Sequence, residues 1–219
     1  MTPAAVVEAD TRPSAGQQGL LPRMLNHYAR VTHDVGATAD FYSRILGMEL
    51  ASTIMDDHVP STGDAFPYFH IFFRMGDGST MAFFECTELP APSQPSHPAY
   101  DIFDHIALQV DGTQELEKWK TWLQSQGVAV LGPIDHKGLI QSIYFHDPNG
   151  YRLELTTPVD KAWNRHRRQG EEDLKLWLDA KEKAKTEGAN LTQAMVDLIR
   201  RVKESRYTRA TEGSGAKAT

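Results

Sequence analysis

Asn26-His27-Tyr28-Ala29-Arg30-Val31 and Asp104-His105-Ile106-Ala107-Leu108-Gln109-Val110 are two strand-like runs with histidine at their start. The segments downstream of each run decide the fold. After the first comes Ala39-Asp40-Phe41-Tyr42-Ser43-Arg44-Ile45-Leu46-Gly47, and later Met81-Ala82-Phe83-Phe84-Glu85. After the second comes Leu116 to Gly127, and later Tyr151-Arg152-Leu153-Glu154-Leu155. Phe41, Tyr42, Ile45 and Leu46 recur at helical spacing, as do Leu116, Trp119 and Leu123, with Trp122 widening the face. Each run ends on a glycine that suits a left-handed helix stop. The same order of elements therefore occurs twice, with histidine at the front and glutamate at the back of each copy.

Working outward, Met48 to Ile54 reads as the next strand of the first copy and Asp56 to Asp64 as a loop. Tyr68 to Arg74 and Thr80 to Cys86 form a hairpin around Gly76-Asp77-Gly78. In the second copy Val128 to Leu131 is a short strand, and Leu139 to His146 with Tyr151 to Thr156 make the closing hairpin. The expected organisation is a tail at 1–22, a first module at 23–90, a Pro-rich linker at 91–100 and a second module at 101–158. A helical extension at 159–207 and a disordered tail at 208–219 complete it. In the extension, Met195, Leu198, Ile199 and Val202 form an apolar stripe behind an Asn190 cap, the pattern of a packing face.

The bulk numbers exclude whole classes. A net charge of -6 lacks the concentrated basic surface that a nucleic-acid binder needs. No apolar run is long enough to cross a bilayer, and residues 1–18 carry no secretory h-region. A single cysteine, Cys86, leaves no disulfide framework and suits a reducing cytoplasm.

If the two modules face one another as curved sheets, His27, His105, Glu85 and Glu154 converge between them. Imidazole nitrogen with carboxylate oxygen is a donor set for a divalent first-row metal. The plain alternative is that each histidine is an ordinary strand residue.

The segments resemble the vicinal oxygen chelate superfamily of glyoxalase I, extradiol dioxygenases, epimerases and resistance proteins. The resemblance rests on His27, Phe41 to Met48, Phe83-Phe84-Glu85, Asp104 to Leu108, and Asp147-Pro148-Asn149-Gly150-Tyr151-Arg152-Leu153-Glu154-Leu155. It implies an α+β fold: two tandem βαβββ modules forming a curved mixed sheet around a metal site, with the helical extension outside it. It also implies a metal at His27, His105 and Glu154, with Glu85 as an optional fourth ligand.

The last hairpin allows an inference of its own. Asp147 to Tyr151 fits a three-residue loop with Gly150 left-handed, which pairs Asp147 with Tyr151 and hence Tyr144 with Glu154. Tyr144 is then either a hydrogen-bonding phenol beside a ligand or a space-filling strand aromatic. In the extradiol pattern a tyrosine precedes the ligand glutamate, as Tyr144 does, and a histidine base stands further upstream, where His136 stands. His136 is otherwise a solvated loop histidine. Glyoxalase-like isomerases instead use all four ligand positions, with a carboxylate such as Glu85 as base.

The expected activity is a metal-dependent dioxygenase on a catechol-like diol. His136, Tyr144 and Glu85 are the catalytic candidates, and Fe(II) or Mn(II) is the metal. The alternatives are a lyase, isomerase or epimerase with Ni, Co or Zn, acting on an oxo-acid, hemithioacetal or acyl thioester, and a non-catalytic binding protein of the resistance type. The partners expected are a small-molecule substrate and a second copy in a homodimer, with no nucleic acid and no membrane. His58 and His70 receive no role.

Overall fold

The structure, a computed structural model, describes residues 24–86 and 97–215. The first module runs β1 (His27–Thr32), α1 (Val35–Ala39), β2 (Glu49–His58), β3 (Ala65–Arg74) and β4 (Thr80–Cys86). Asp34 caps α1 through its side chain, and α1 passes into a π-helical segment, Asp40–Ile45. The second module is preceded by α2 (Pro98–Phe103) and runs β5 (Ile106–Gln109), α3 (Gly112–Ser125), β6 (Leu131–Asp135), β7 (Ile140–His146) and β8 (Arg152–Pro158). Strand order is β1-β4-β3-β2 in one sheet and β5-β8-β7-β6 in the other. In both, the first and last strands pair parallel and the rest antiparallel. A parallel first-to-last pair needs a crossover, and the helix of each module supplies it. The α+β fold of two tandem βαβββ modules is therefore present.

Gly47 (φ +71°) and Gly127 (φ +79°) end the two helical segments in the left-handed conformation. The closing hairpin has the expected turn: Asp147 N–H donates to Tyr151 O and Gly150 N–H to Asp147 O, both at 3.0 Å, with Gly150 at φ +82°. Some expectations shift. β2 continues through Asp56, Asp57 and His58, so the loop is shorter than 56–64. The strand expected at 128–131 lies instead at 131–135. Pro98–Phe103 is a helix, capped by the His97 ring, inside a stretch read as linker and loop. The tail expected at 1–22 and most of the linker expected at 91–100 lie outside the described residues.

Side chains alternate along each strand, and one face of each sheet enters a single core. Ile71, Phe73, Met81 and Phe83 from the first sheet join Ile143, Phe145, Leu153 and Leu155 from the second, with Phe41, Tyr42, Leu116 and Leu123 from the helical segments. Polar contacts tie the modules across this core. Tyr42 Oη donates to Asp147 Oδ2 at 3.1 Å, Thr32 Oγ1 to Asn149 Oδ1 at 2.8 Å, Tyr151 Oη to Val31 O at 2.9 Å and Trp122 Nε1 to Ile45 O at 2.8 Å. Burial pushes the Asp147 carboxyl up, opposed by the hydrogen bonds it accepts from Tyr151, Asn149 and Tyr42.

Residues from 164 onward form a second compact unit, with α4 (Arg167–Thr186) and α5 (Leu191–Gly215). Ala184, Met195 and Leu198 are buried in it, and Asn190 Oδ1 accepts from Gln193 N–H at 2.9 Å as the expected cap. α5 continues to Gly215, into residues expected to be disordered. Among the described residues no helix is long and apolar enough to cross a membrane.

Candidate functional site

Because Leu153 and Leu155 enter the core, Arg152, Glu154 and Thr156 occupy the opposite face of β8. Across β7 the partner of Glu154 is Tyr144, the pairing read from the turn. Glu154 is only 2% exposed. His105, just before β5, brings Nε2 to 2.7 Å from Glu154 Oε2, and its Nδ1 lies 2.8 Å from Phe103 O. A neutral imidazole donating from Nδ1 to a carbonyl presents only a lone pair at Nε2. A lone pair that close to a carboxyl oxygen calls for a proton between the two groups or for a metal ion. The other carboxylate oxygen, Oε1, is buried with no hydrogen-bond partner. An anchored imidazole beside a carboxylate with an unsatisfied oxygen fits a divalent ion.

Tyr144 extends this cluster. Its Oη lies 2.9 Å from His136 Nε2, and its ring stands edge-on to His105 at 5.8 Å. Burial, followed by the charge of Glu154, pushes the phenol up, so it stays a proton-bearing donor. The Arg152 guanidinium lies 4.4 Å from the ring centre. His136, Tyr144, Glu154 and His105 thus form one connected group on the second module.

His27 stands on the corresponding face of the first module, with Nδ1 2.7 Å from Asn26 Oδ1 and its ring 5.8 Å from Phe72. The same face carries a histidine that sequence reasoning left without a role. His70 is 7% exposed, stacked 3.5 Å from Phe84 and 4.0 Å from Phe72, and its Nε2 has no partner. Burial, and then the charge of His27 at 6.3 Å, push it down to about 4. Its place in the hairpin register, paired with Phe84, is the signal that would have placed it on this face.

Glu85 stands apart from these groups. In the second module Glu154 pairs with Ala107, two residues after His105. Two residues after His27 is Ala29, and its partner is Ala82. Ala82 therefore holds the place of Glu154, and Glu85 holds the place of Thr157. Its strand position puts it on the core face, where its Oε2 accepts the N–H of Val35 at the start of α1. Thr157 Oγ1 accepts the N–H of Gly112 at the start of α3 in the same way. The two glutamates are not equivalent in the repeat.

Within one chain the two faces that carry candidate ligands are also kept apart. Both sheets spend their opposite faces on the shared core, so the faces with His27 and Glu154 point away from it. Among the described residues, the only trio of possible ligands with donor atoms within 4.8 Å of one another is Asp56, Asp57 and His58, all exposed at the end of β2. His27 is not gathered with His105 and Glu154.

The family model described as Glyoxalase/Bleomycin resistance protein/Dioxygenase superfamily matches residues 24–155. A Bacillus subtilis protein named "Putative ring-cleaving dioxygenase MhqA" is 28% identical over 137 residues, 60% of this chain and 39% of that one. "Metallothiol transferase FosB" of Bacillus licheniformis is 41% identical over 59 residues, 26% of this chain and 38% of that one. The chain thus spans about two fifths of each curated relative. Among solved structures, a glyoxylase/bleomycin resistance protein/dioxygenase domain from Frankia sp. EAN1pec covers 63% of this chain and 99% of its own, with a TM-score of 0.51 and 14% identity. That likeness concerns the fold.

Proposed function

The chain belongs to the Glyoxalase/Bleomycin resistance protein/Dioxygenase superfamily, and on that footing we propose that it is a metal-dependent extradiol-type dioxygenase acting on a catechol-like aromatic diol. The observation that carries this reading is the connected run from His136 through Tyr144 to Glu154 and His105. His105 and Glu154 of one copy and His27 of a second copy would hold Fe(II) or Mn(II), a three-ligand set in a homodimer. Such an ion, when bound, would supply a Lewis acid for the diol oxygens and a means of activating dioxygen.

The chain's own residues supply the rest. His136, at hydrogen-bond distance from the Tyr144 oxygen, is placed to take a proton from the diol hydroxyl, either directly or through that phenol. Once His136 holds that proton, its N–H donates to the Tyr144 oxygen, and the phenol proton is free to be donated toward the reacting oxygens. Phe103 O and Asn26 Oδ1 fix the two ligand imidazoles with Nε2 outward. The isomerase reading needs a fourth carboxylate ligand in the first module. Ala82 occupies that place and Glu85 is engaged at the start of α1, which favours the three-ligand reading.

The test is metal analysis of the purified protein, followed by oxygen uptake over a panel of catechols in air and under nitrogen. Ring cleavage that consumes one O2 per diol supports the proposal. Turnover of hemithioacetals, oxo-acids or acyl thioesters under nitrogen would replace it with the isomerase reading. Ligand binding without metal and without turnover would leave a sequestering protein.

A further inference from the structure

The face of the first module that carries His27 is built in cross-strand rows. One row runs Val31, Phe84, His70, Ile54, the next Ala29, Ala82, Phe72, Ser52, and the third contains Cys86, Tyr68 and Asp56. At its centre Phe72 and Phe84 pack on the His70 ring, with Tyr68 edge-on to Phe84 at 5.4 Å. Val31 is 38% and Ile54 47% exposed, so the apolar surface on either side of this cluster is open. His70 Nε2 and Glu154 Oε1 are the two buried side-chain atoms without a partner among the described residues. Each lies on the face of its module that carries a candidate ligand. A buried polar atom left unsatisfied costs about 1–3 kcal/mol. The side chains directly around His70, namely Phe84, Phe72 and Ile54, are apolar, and an aliphatic residue at this position would avoid the cost.

We propose that this face is the substrate-recognition wall, on which Phe72, Phe84 and Tyr68 take the aromatic ring and His70 Nε2 hydrogen-bonds an uncharged polar substituent remote from the diol. The proposal rests on the dioxygenase reading and its two-copy site, since the diol itself is taken to be held at His105 and Glu154 of one copy while the His70 face belongs to the other. It narrows the substrate class to diols bearing a hydroxyl, hydroxymethyl or carbonyl group beyond the two reacting oxygens. An imidazole packed between two phenyl rings favours a neutral partner over a carboxylate, which would draw charge into an apolar surface. His70 is then a specificity residue, separate from the groups that carry the reaction.

Calorimetric titration of the Zn(II)-loaded full chain under nitrogen tests this without turnover. The probes are catechol, 4-methylcatechol and 4-(hydroxymethyl)catechol. The unmodified protein should prefer the hydroxymethyl over the methyl compound by roughly fivefold, the range of one neutral hydrogen bond. His70→Phe should abolish that preference while zinc content stays the same, and His70→Gln, which keeps a donor and an acceptor, should retain part of it. His70→Phe should also melt no lower than the unmodified protein, because it removes an unsatisfied group. Equal affinities for the two compounds, or a preference unchanged in His70→Phe, would overturn the wall assignment alone. Loss of zinc in His70→Phe would overturn it by making His70 a ligand. Failure of all three catechols to bind the unmodified protein would remove the dioxygenase reading and this proposal with it.

Discussion

Glu85 and Thr157 occupy the same position in the two repeats, each accepting the first backbone N–H of its module's crossover helix. That shared role separates the two glutamates that the sequence presents as a pair. It leaves Glu154 as the carboxylate beside a candidate ligand histidine and gives Glu85 the task of ordering the start of α1.

Glu85→Ala should therefore act on stability. We expect a loss of about 1 kcal/mol in denaturant unfolding, typical of removing a helix-start acceptor, with unchanged metal content. Glu85→Thr, which copies the second module, should restore most of it. Metal analysis of both variants checks the assignment, and loss of metal in either would return Glu85 to the ligand set.

Glu154→Gln and His105→Ala should each lower metal affinity by more than about a hundredfold, beyond the range typical of outer-shell partners. Competition with a chelating dye measures this directly. His105→Ala should be the more disruptive of the two for neighbouring order, because it leaves the buried Glu154 carboxylate without the imidazole that contacts it.

A site shared between two copies predicts complementation. His27→Ala and Glu154→Gln homodimers should both be inactive. Mixing and refolding them in equal amounts should restore about a quarter of full activity, since half the dimers are mixed and each has one intact crevice of two. A site confined to one chain would give none.

Tyr144→Phe and His136→Ala should keep their metal yet lower kcat by about 10²-fold or more, the usual scale for a positioned acid or base. Metal content and substrate affinity, measured beside kcat, separate this from a folding defect.

Tyr42→Phe removes the buried donor that Asp147 faces across the two modules. A cost of about 1–3 kcal/mol is expected in unfolding experiments. The pH dependence has a definite sign. Asp147 is raised in the folded protein, so the folded state holds its proton more tightly than the unfolded chain. Its contribution to stability is present in full below the ordinary aspartate range and is lost as pH rises through its raised folded value. Stability curves at several pH values should show this decline diminished in Asp147→Asn.

The Tyr144–Glu154 pairing is legible in the sequence because Asp147 to Tyr151 permits one tight turn, and a tight turn fixes the register of the strands beside it. The first hairpin gives no such purchase. Gly76-Asp77-Gly78 has two glycines either of which could take the left-handed position, so the loop length, and with it the cross-strand register of His70 and Glu85, is left open. In the structure Gly78 (φ +87°) matches Gly150, which brings Ala82 into register with Glu154. His70 escapes notice for the same reason. Helix α2 is hidden because its proline-rich approach reads as extended chain, although Pro98 sits where a helix tolerates proline best. The separation of the two faces that carry candidate ligands depends on which sides of the sheets meet in the core. Hydrophobic alternation names two sides and leaves open how the modules join.

Ala82 also breaks a symmetry. With a carboxylate there, a crevice between two copies would have nearly mirror-like sides, and a flat ring could lie in it either way round. In the proposed crevice only one side would carry a carboxylate, and that difference would remove the ambiguity. On the dioxygenase reading, a guest entering such a cleft would have a head and a tail imposed on it, and attack at one edge of the ring rather than the other would follow from that asymmetry.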